Sequence, residues 1–159
     1  MSSRDSFVWR GRFTVAKYWA DDDLLRATPY EVLEGDNLLL TAGANALFNR
    51  LAGLGAVTAF DATNGRLAVG NGTTAAAASQ TDLQGALKTR KVFDAAPTVS
   101  AGSFTAVTTF TTADANHVWA EAGIANAATG GVLLNRTVQA FGTKSSSLQW
   151  VLTATLTAQ

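Results

Sequence analysis

The side chains that could carry catalysis are few in this sequence. It has one histidine, His117, and no cysteine among its 159 residues. A Ser-His-Asp site would have to be built on His117, which follows Asp114 and Asn116 and has no GxSxG nucleophile motif to serve. One histidine cannot supply the nitrogen and sulfur ligands of a zinc site either. We therefore expect no catalytic residue, no metal, no cofactor and no enzymatic activity, and we interpret His117 as a structural or surface residue.

Two loop motifs could bind ions. Asp21–Asp23 places three carboxylates in a row, whereas calcium loops space their acidic ligands at alternate positions. The segment Gly70–Thr74 reads GNGTT but lacks the Lys-Ser/Thr ending of a phosphate loop and the third glycine of a dinucleotide fingerprint. A solvated turn and a surface loop are the favoured interpretations.

One carboxylate lies inside an apolar segment. Glu121 follows Trp119 and Ala120, and a buried carboxylate must be paired or hydrogen-bonded. Arg136 comes after the Gly130-Gly131 turn, which makes it the natural cross-strand partner. We predict that Glu121 and Arg136 form a structural pair that locks two strands, with a contact to another subunit as the alternative.

The elements that must hold these residues are mainly β-strands. Apolar and polar residues alternate in several segments, as they do in half-buried strands. Strands are predicted at 7–19, 24–27, 65–70, 86–93, 104–111, 117–124, 132–138 and 148–156. Gly and Asn turns between short strands indicate an antiparallel β-sandwich or a small barrel. We expect its core to contain Leu148, Trp150 and Leu152, with Phe104 and Phe110 nearby.

One short α-helix interrupts the β pattern at about 42–52. Thr41 can cap its start, and Gly53 can end it. Its apolar side is predicted to consist of Ala44, Leu47, Phe48 and Leu51. Residues 70–85 follow later as a low-complexity segment of small residues, which predicts a long surface loop.

Charge is scarce and balanced. The chain has 12 basic and 12 acidic residues, and only 15% of its residues are charged, against 47% hydrophobic. A soluble monomer normally carries more surface charge, so we expect either that Thr, Ser and Asn cover this surface or that neighbouring protein covers part of it. Lys88, Arg90 and Lys91 are interpreted as an edge strand, and no nucleic-acid partner is expected. The apolar stretches are too short to span a membrane, so no membrane partner is expected.

The candidate interface residues lie in two segments. Long loops often contact partners, and an aromatic chain end needs a cover. The candidates are Phe7, Trp9, Phe13, Trp19, Asn71, Thr73 and Thr74. Residues 1–36 are predicted to form an N-terminal strand or arm region that packs on the domain or on a neighbour, and residues 37–159 to form the β-sandwich domain. A homo-oligomer is expected, with a trimer favoured.

Four blocks in order resemble a recurring family of tailed-phage particle proteins. They are Asn37–Gly43 with Ala46-Leu47-Phe48, Leu67–Ala76 with Thr81–Gly85, Trp119–Ile124, and Gly131–Arg136. The resemblance covers roughly residues 37–156 and implies a virion component, without separating head from tail. No catalytic residue carries over from the family, because its motifs look structural.

The expected function follows from this resemblance and from the scarce charge. We expect a minor capsid or decoration protein, located in the virion and made in the host cytoplasm, which stabilises the head shell by bridging copies of the major capsid protein. A tail, baseplate or fibre component is the first alternative. A receptor- or carbohydrate-binding module that uses tryptophans as stacking platforms is the competing class.

Overall fold

The structure, a computed structural model, describes residues 8–158, and the secondary structure within that range is dominated by strands. The strands are β1 Trp9–Trp19, β2 Glu31–Asp36, β3 Leu38–Leu39, β4 Arg66–Gly70, β5 Lys88–Val92, β6 Thr98–Ser100, β7 Ser103–Phe110, β8 Val118–Ala125, β9 Leu133–Thr143 and β10 Leu148–Ala158. The helix α1 spans Thr41–Ala52. Both the mainly β composition and the single predicted helix are confirmed.

The strands form two antiparallel sheets that pack face to face. Sheet A has the order β2-β1-β10-β7-β6, and sheet B has the order β3-β9-β8-β4-β5. The two sheets do not close into a barrel. Of the two predicted architectures, the β-sandwich is therefore the one that forms.

The core lies between the sheets and contains the residues expected there. Trp150 and Leu152 are buried, and Phe110 is buried beside them, while Phe104 and Leu148 pack on the same cluster from its margin. The Trp119 ring lies edge-on to Phe110 and to Trp150, with centroid distances of 4.8 and 4.9 Å. Such edge-to-face pairs add to the stabilisation that burial alone provides.

The N-terminal region belongs to the sandwich. β1 lies between β2 and β10 in sheet A, in a register that runs from Trp9 opposite Ala158 to Trp19 opposite Leu148. Residues 9–36 are thus two strands of one sheet and do not form a separate arm. The strand predicted at 24–27 is wrong, because Asp23 accepts hydrogen bonds from the following backbone N–H groups and folds this segment into turns.

Helix α1 has the predicted bounds but turns a different side to the core. Gly53 ends it in a left-handed conformation, with φ of 66°, as predicted. However, Phe48 and Leu51 are exposed, at 63% and 85%. The helix approaches β9 too closely for large side chains: a Cβ on Gly43 would lie 2.1 Å from the Leu134 carbonyl oxygen. The predicted apolar side is therefore wrong for those two residues.

The start of α1 also differs from its prediction. Leu40 is the N-cap residue, and no side chain caps the helix. The backbone N–H of Thr41 instead donates to the Ala78 carbonyl in the segment 70–85. The helix start and this segment are therefore joined by a backbone hydrogen bond.

A second apolar cluster lies on the outer face of sheet B. Successive side chains of a strand point to opposite faces, so Ala68 points away from the core that contains Leu67 and Val69. Leu40 at the helix start and Leu83 in the segment 70–85 pack over Ala68. The chain thus covers the outer face of sheet B with its own residues.

Candidate functional site

A buried ion pair fixes the segment 70–85 over the outer face of sheet B. Glu121 and Arg136 have fully buried side chains, and Arg136 Nε donates to Glu121 Oε2 at 2.7 Å. Glu121 Oε1 accepts the backbone N–H groups of Gly72 at 3.1 Å and Gly85 at 2.7 Å, and Oε2 accepts that of Gln84 at 2.9 Å. The predicted pair is present, and it fastens both ends of the segment 70–85 to sheet B.

The glycines of this segment leave space for the carboxylate. A Cβ on Gly70 or on Gly72 would lie 2.5 Å from Glu121 Oε1, closer than real Cβ atoms approach an oxygen. Glycine is the residue that allows a backbone to come this near to another group. The GNG motif is therefore explained by the approach of the chain to Glu121.

Arg136 fastens the middle of the same segment through Gln80. Arg136 Nη1 donates to Gln80 Oε1 at 2.9 Å, and the same oxygen accepts the Ala77 backbone N–H at 3.1 Å. Gln80 Nε2 donates in turn to the Ala75 carbonyl at 3.0 Å. The segment predicted as a long surface loop is thus held along its length, and Gly72, Leu83 and Gly85 within it are buried.

Four charge-assisted or backbone donors surround the Glu121 carboxylate, so its oxygens serve the fold. Three of the four sequence blocks supply this arrangement: the second contributes the segment 70–85, the third Glu121 and the fourth Arg136. Leu40 of the first block packs over Ala68 on the same face. Their order along the chain therefore corresponds to one packing unit.

The interface candidates of the segment 70–85 have two different environments. Asn71 is half-buried, and its Oδ1 accepts the Leu87 backbone N–H at 3.0 Å. Thr73 and Thr74 are exposed. The two threonines are presented on a rigid support, whereas the Asn71 side chain holds the end of the segment.

The aromatic candidates of the N-terminal strand are divided in the same way. Phe7 lies outside the described residues. Phe13 is completely buried in the core of the chain itself, so it offers no surface to a partner. Trp9 and Trp19 are 37% and 54% exposed, and Trp19 stacks on Tyr30 with a centroid distance of 4.8 Å. Exposed aromatics remain at the two ends of β1.

The basic residues of β5 are paired, as suits the edge strand of sheet B. Lys88 Nζ and Arg90 Nη2 approach the two oxygens of Asp82 at 2.9 and 2.8 Å, and Lys91 pairs with Asp114. Burial alone would raise the pKa of Asp82, but the hydrogen bonds from Lys88 and Arg90 overcome it and lower that pKa below its ordinary value. Asp82 thereby fixes β5 to the segment 70–85.

His117 lies beside β5. Its Nδ1 is 2.8 Å from the Val118 carbonyl oxygen, which can only accept, so Nδ1 donates this hydrogen bond. Its Nε2 lies 3.2 Å from the Thr89 hydroxyl oxygen. This histidine links two elements, which agrees with its interpretation as a structural residue.

A buried lysine ties the loops at the same end of the sandwich. Lys144 is 1% exposed, and its Nζ donates to the Thr111 carbonyl and to Asn116 Oδ1. Burial lowers its pKa, Asp114 opposes this shift, and Lys91 adds to it. The amine serves as a cross-link between the loops that contain Thr111 and Lys144.

The aspartates 21–23 serve their own turn. Asp22 Oδ2 accepts the Trp19 backbone N–H at 2.9 Å, and Asp23 Oδ1 accepts that of Leu25 at 3.0 Å. Across residues 8–158, no group of three or more His, Asp or Glu side chains is arranged to hold a metal ion. The helix found in the same range is also too short and too polar to cross a membrane.

The outer face of sheet A is rich in threonine. It consists of the side chains that alternate with the buried ones on β2, β1, β10 and β7. They include Val32, Thr14, Ala16, Val151, Thr153, Thr155, Thr105, Val107 and Thr109, together with the charged Arg10, Arg12, Glu34 and Asp36. Strand register places them in adjacent rows, for example Thr14, Thr153 and Val107. The sequence shows the alternation on each of these four strands. The pairing of the strands, which joins these residues into one surface, is seen only in the structure.

Comparison with known proteins gives no relative for this chain. No family model matches it, and neither the curated proteins nor the solved structures provide a match.

Proposed function

We propose that this chain is a non-enzymatic structural subunit that works by packing against other protein subunits. The observation that carries the proposal is that the buried charges serve the chain's own fold while apolar side chains remain at its surface. Glu121, Arg136 and Lys144 are buried and bond to the chain's own backbone or side chains. On the outer face of sheet A, valine, alanine and threonine occupy the rows around Thr153, and the charged Arg12, Glu34 and Asp36 lie toward one corner.

The exposed apolar residues support a covered surface in the working protein. Trp19, Tyr30 and Val32 are 54%, 44% and 49% exposed, and they lie at the end of β1 and in and before β2, beside the outer face of sheet A. Single exposed hydrophobic residues are ordinary, whereas a contiguous apolar patch marks an interaction site. We therefore expect another protein subunit to bury this patch.

The resemblance of residues 37–156 to tailed-phage particle proteins directs the proposal to a virion. The particular role proposed is a minor capsid or decoration protein that stabilises the head shell by bridging copies of the major capsid protein. Thr73 and Thr74 are the residues of the segment 70–85 available for such a contact, because Glu121 holds the backbone around them rigid.

A tail, baseplate or fibre component is the alternative within the same structural class. The competing binding module would use exposed aromatics as stacking platforms for a carbohydrate. Trp119 and Trp150 are buried in the core, so only Trp9 and Trp19 could serve such a module. The stack of Trp19 on Tyr30 is the observation that favours the carbohydrate-binding module.

Copy number in particles tests the proposal. Particles of the source virus would be purified on density gradients, and the molar ratio of this chain to the major capsid protein would be measured by quantitative mass spectrometry. A ratio that corresponds to hundreds of copies supports a shell or tube protein, and a handful supports a baseplate, fibre or collar. Absence from purified particles would overturn the virion proposal, and saturable glycan binding lost in Trp19→Ala would favour the carbohydrate module.

A further inference from the structure

The geometry points to a binding site for a neutral hexopyranose sugar at one corner of sheet A, in a cleft beside the first residues of β1. This inference goes beyond the structural role proposed above and does not depend on it. The cleft also lies at the opposite end of β1 from the stack of Trp19 on Tyr30.

The cleft opens where the chain leaves sheet A for sheet B. The pairing of β2 with β1 ends at Asp36, opposite Arg12, and the chain pairs with β9 in sheet B from Leu38 onward. Residues 9–11 of β1 therefore have β10 on one side and, within the described residues, no strand of sheet A on the other. The cleft left there has a volume of about 670 Å³, within the range of about 300–1,000 Å³ for pockets that bind small ligands.

Hydrogen-bonding side chains lie in adjacent rows along this cleft. Thr155 and Thr157 on β10 lie opposite Arg12 and Arg10, and Asp36 lies opposite Arg12 on β2. Side chains that are directly opposite in neighbouring strands are about 5 Å apart. A sugar hydroxyl both donates and accepts, so neighbouring hydroxyls of one ring can accept from the guanidinium groups and donate to the carboxylate.

Two of these side chains are not engaged by the fold. Within residues 8–158, neither the Arg10 guanidinium nor the Asp36 carboxylate forms an ion pair or a hydrogen bond, and both residues are exposed. Arg12 Nη1 lies 3.2 Å from Glu34 Oε2, which leaves the other N–H groups of this guanidinium for a ligand. The cleft thus offers available donors and an available acceptor side by side.

Asn37 adds a donor that the fold leaves unsatisfied. Asn37 lines the cleft and packs on Gly11, where a Cβ would lie 2.1 Å from Asn37 Nδ2. This Nδ2 is buried and has no hydrogen-bond partner. A buried N–H group without an acceptor costs free energy, and a sugar hydroxyl in the cleft can supply that acceptor.

The balance of charge disfavours a strongly charged ligand. Arg10 and Arg12 contribute two positive charges, and Glu34 and Asp36 contribute two negative ones, so the local charges cancel. A phosphate or sulfate group held by the arginines would lie beside the Asp36 carboxylate, and like charges at short range repel each other. Trp9 also lines the cleft and adds apolar surface, which suits the C–H groups of a neutral sugar ring.

A titration with simple sugars tests the site. The methyl glycosides of glucose, galactose, mannose and N-acetylglucosamine would each be added to the ¹⁵N-labelled full chain up to about 100 mM, well above the expected dissociation constant of about 1–10 mM. At least one glycoside should shift the backbone amide signals of Arg10, Arg12 and Thr157 in a saturable manner. Asp36→Ala and Arg10→Ala should each raise the dissociation constant about 10-fold or more, because each removes the charged partner of a ligand hydroxyl.

Arg26→Ala and Asp21→Ala are the matched controls, since they remove the same residue types from exposed positions beyond the other end of β1. Both should leave the dissociation constant unchanged, and thermal unfolding of each variant checks that it is folded. Failure of all four glycosides to give a saturable shift overturns the inference, as does binding that both Asp36→Ala and Arg10→Ala leave unaffected. Inorganic phosphate that binds at the same amides more tightly than every glycoside also overturns it, because the ligand would then be an anion.

Discussion

The two sheets of this sandwich treat their outer faces in opposite ways. On sheet B, Leu40 and Leu83 pack over Ala68, and the Glu121–Arg136 pair holds the covering segment through backbone hydrogen bonds. On sheet A, the equivalent outer side chains, mainly threonines and valines with the charged Arg12 and Glu34 beside them, remain at the surface of the described chain. One face is completed by its own chain and the other is left open.

The two sheets also differ in what their buried charges do. Burying an ion pair costs desolvation, and the gain appears only when further hydrogen bonds satisfy both groups. The Glu121 carboxylate receives three backbone N–H groups besides Arg136, which offset part of its desolvation and fix the segment 70–85, whereas Arg136 Nη2 has no hydrogen-bond partner. Sheet A has no such covering segment, and its buried Lys17 instead pairs with Glu31 on the adjacent strand and lies over the Trp150 ring.

Removal of the buried carboxylate should have the largest effect on the free energy of unfolding. Glu121→Ala leaves the Arg136 guanidinium buried without its counter-charge, which costs about 3–5 kcal/mol. Thr153→Ala, a truncation on the outer face of sheet A, should cost less than about 1 kcal/mol. Urea denaturation followed by tryptophan fluorescence measures both variants.

The coupling within the pair sharpens this comparison. Arg136→Ala should also destabilise the chain strongly, and the double variant should lose less free energy than the sum of the two single variants. Glu121→Gln is the volume-matched control: it keeps one acceptor oxygen, and it removes the charge and the second acceptor, where its amide nitrogen would face N–H donors. Additive losses from the two alanine variants would mean that the two side chains are not coupled.

Acid should loosen the covered face through Asp82. Because its pKa is lowered in the folded chain, its contribution to stability is present above the unfolded value of about 3.9 and disappears as the pH falls through the folded value. The urea midpoint should therefore drop below about pH 4. Asp82→Asn should lower the midpoint at pH 7 and reduce its further fall between pH 5 and pH 3. An unchanged acid profile in this variant would show that Asp82 does not fasten β5.

Sequence patterns predicted the sheets well because strand alternation is a local property. Phe104, Phe110 and Trp150 occupy the core in the predicted way. A partner for Glu121 could also be predicted, because an acid in an apolar strand requires one. The backbone donors of Gly72 and Gly85 left no signal beyond the glycines themselves. The sequence therefore could not predict which chain segment contacts Glu121.

The N-terminal strand and the helix show why the remaining predictions failed. Alternation identified Phe13 as one side of a strand but could not say whether its neighbours were in the same chain. β1 turned out to lie between two strands from distant parts of the sequence. Helical spacing likewise grouped Phe48 and Leu51, whereas the close contact of Gly43 with β9 decided which side faces inward.

The smallest expected effect concerns the outward side of α1. Leu51→Lys should change the free energy of unfolding by less than about 0.5 kcal/mol, because the side chain is 85% exposed and both residues are good helix formers. Ala46→Leu, at a position 4% exposed on the inward side, should cost about 1–3 kcal/mol by overpacking. Thermal and urea unfolding of the two variants measure the contrast. If Leu51→Lys were the more damaging of the two, the helix would have to pack on sheet B through its large side chains, and the close approach of Gly43 to β9 would be wrong.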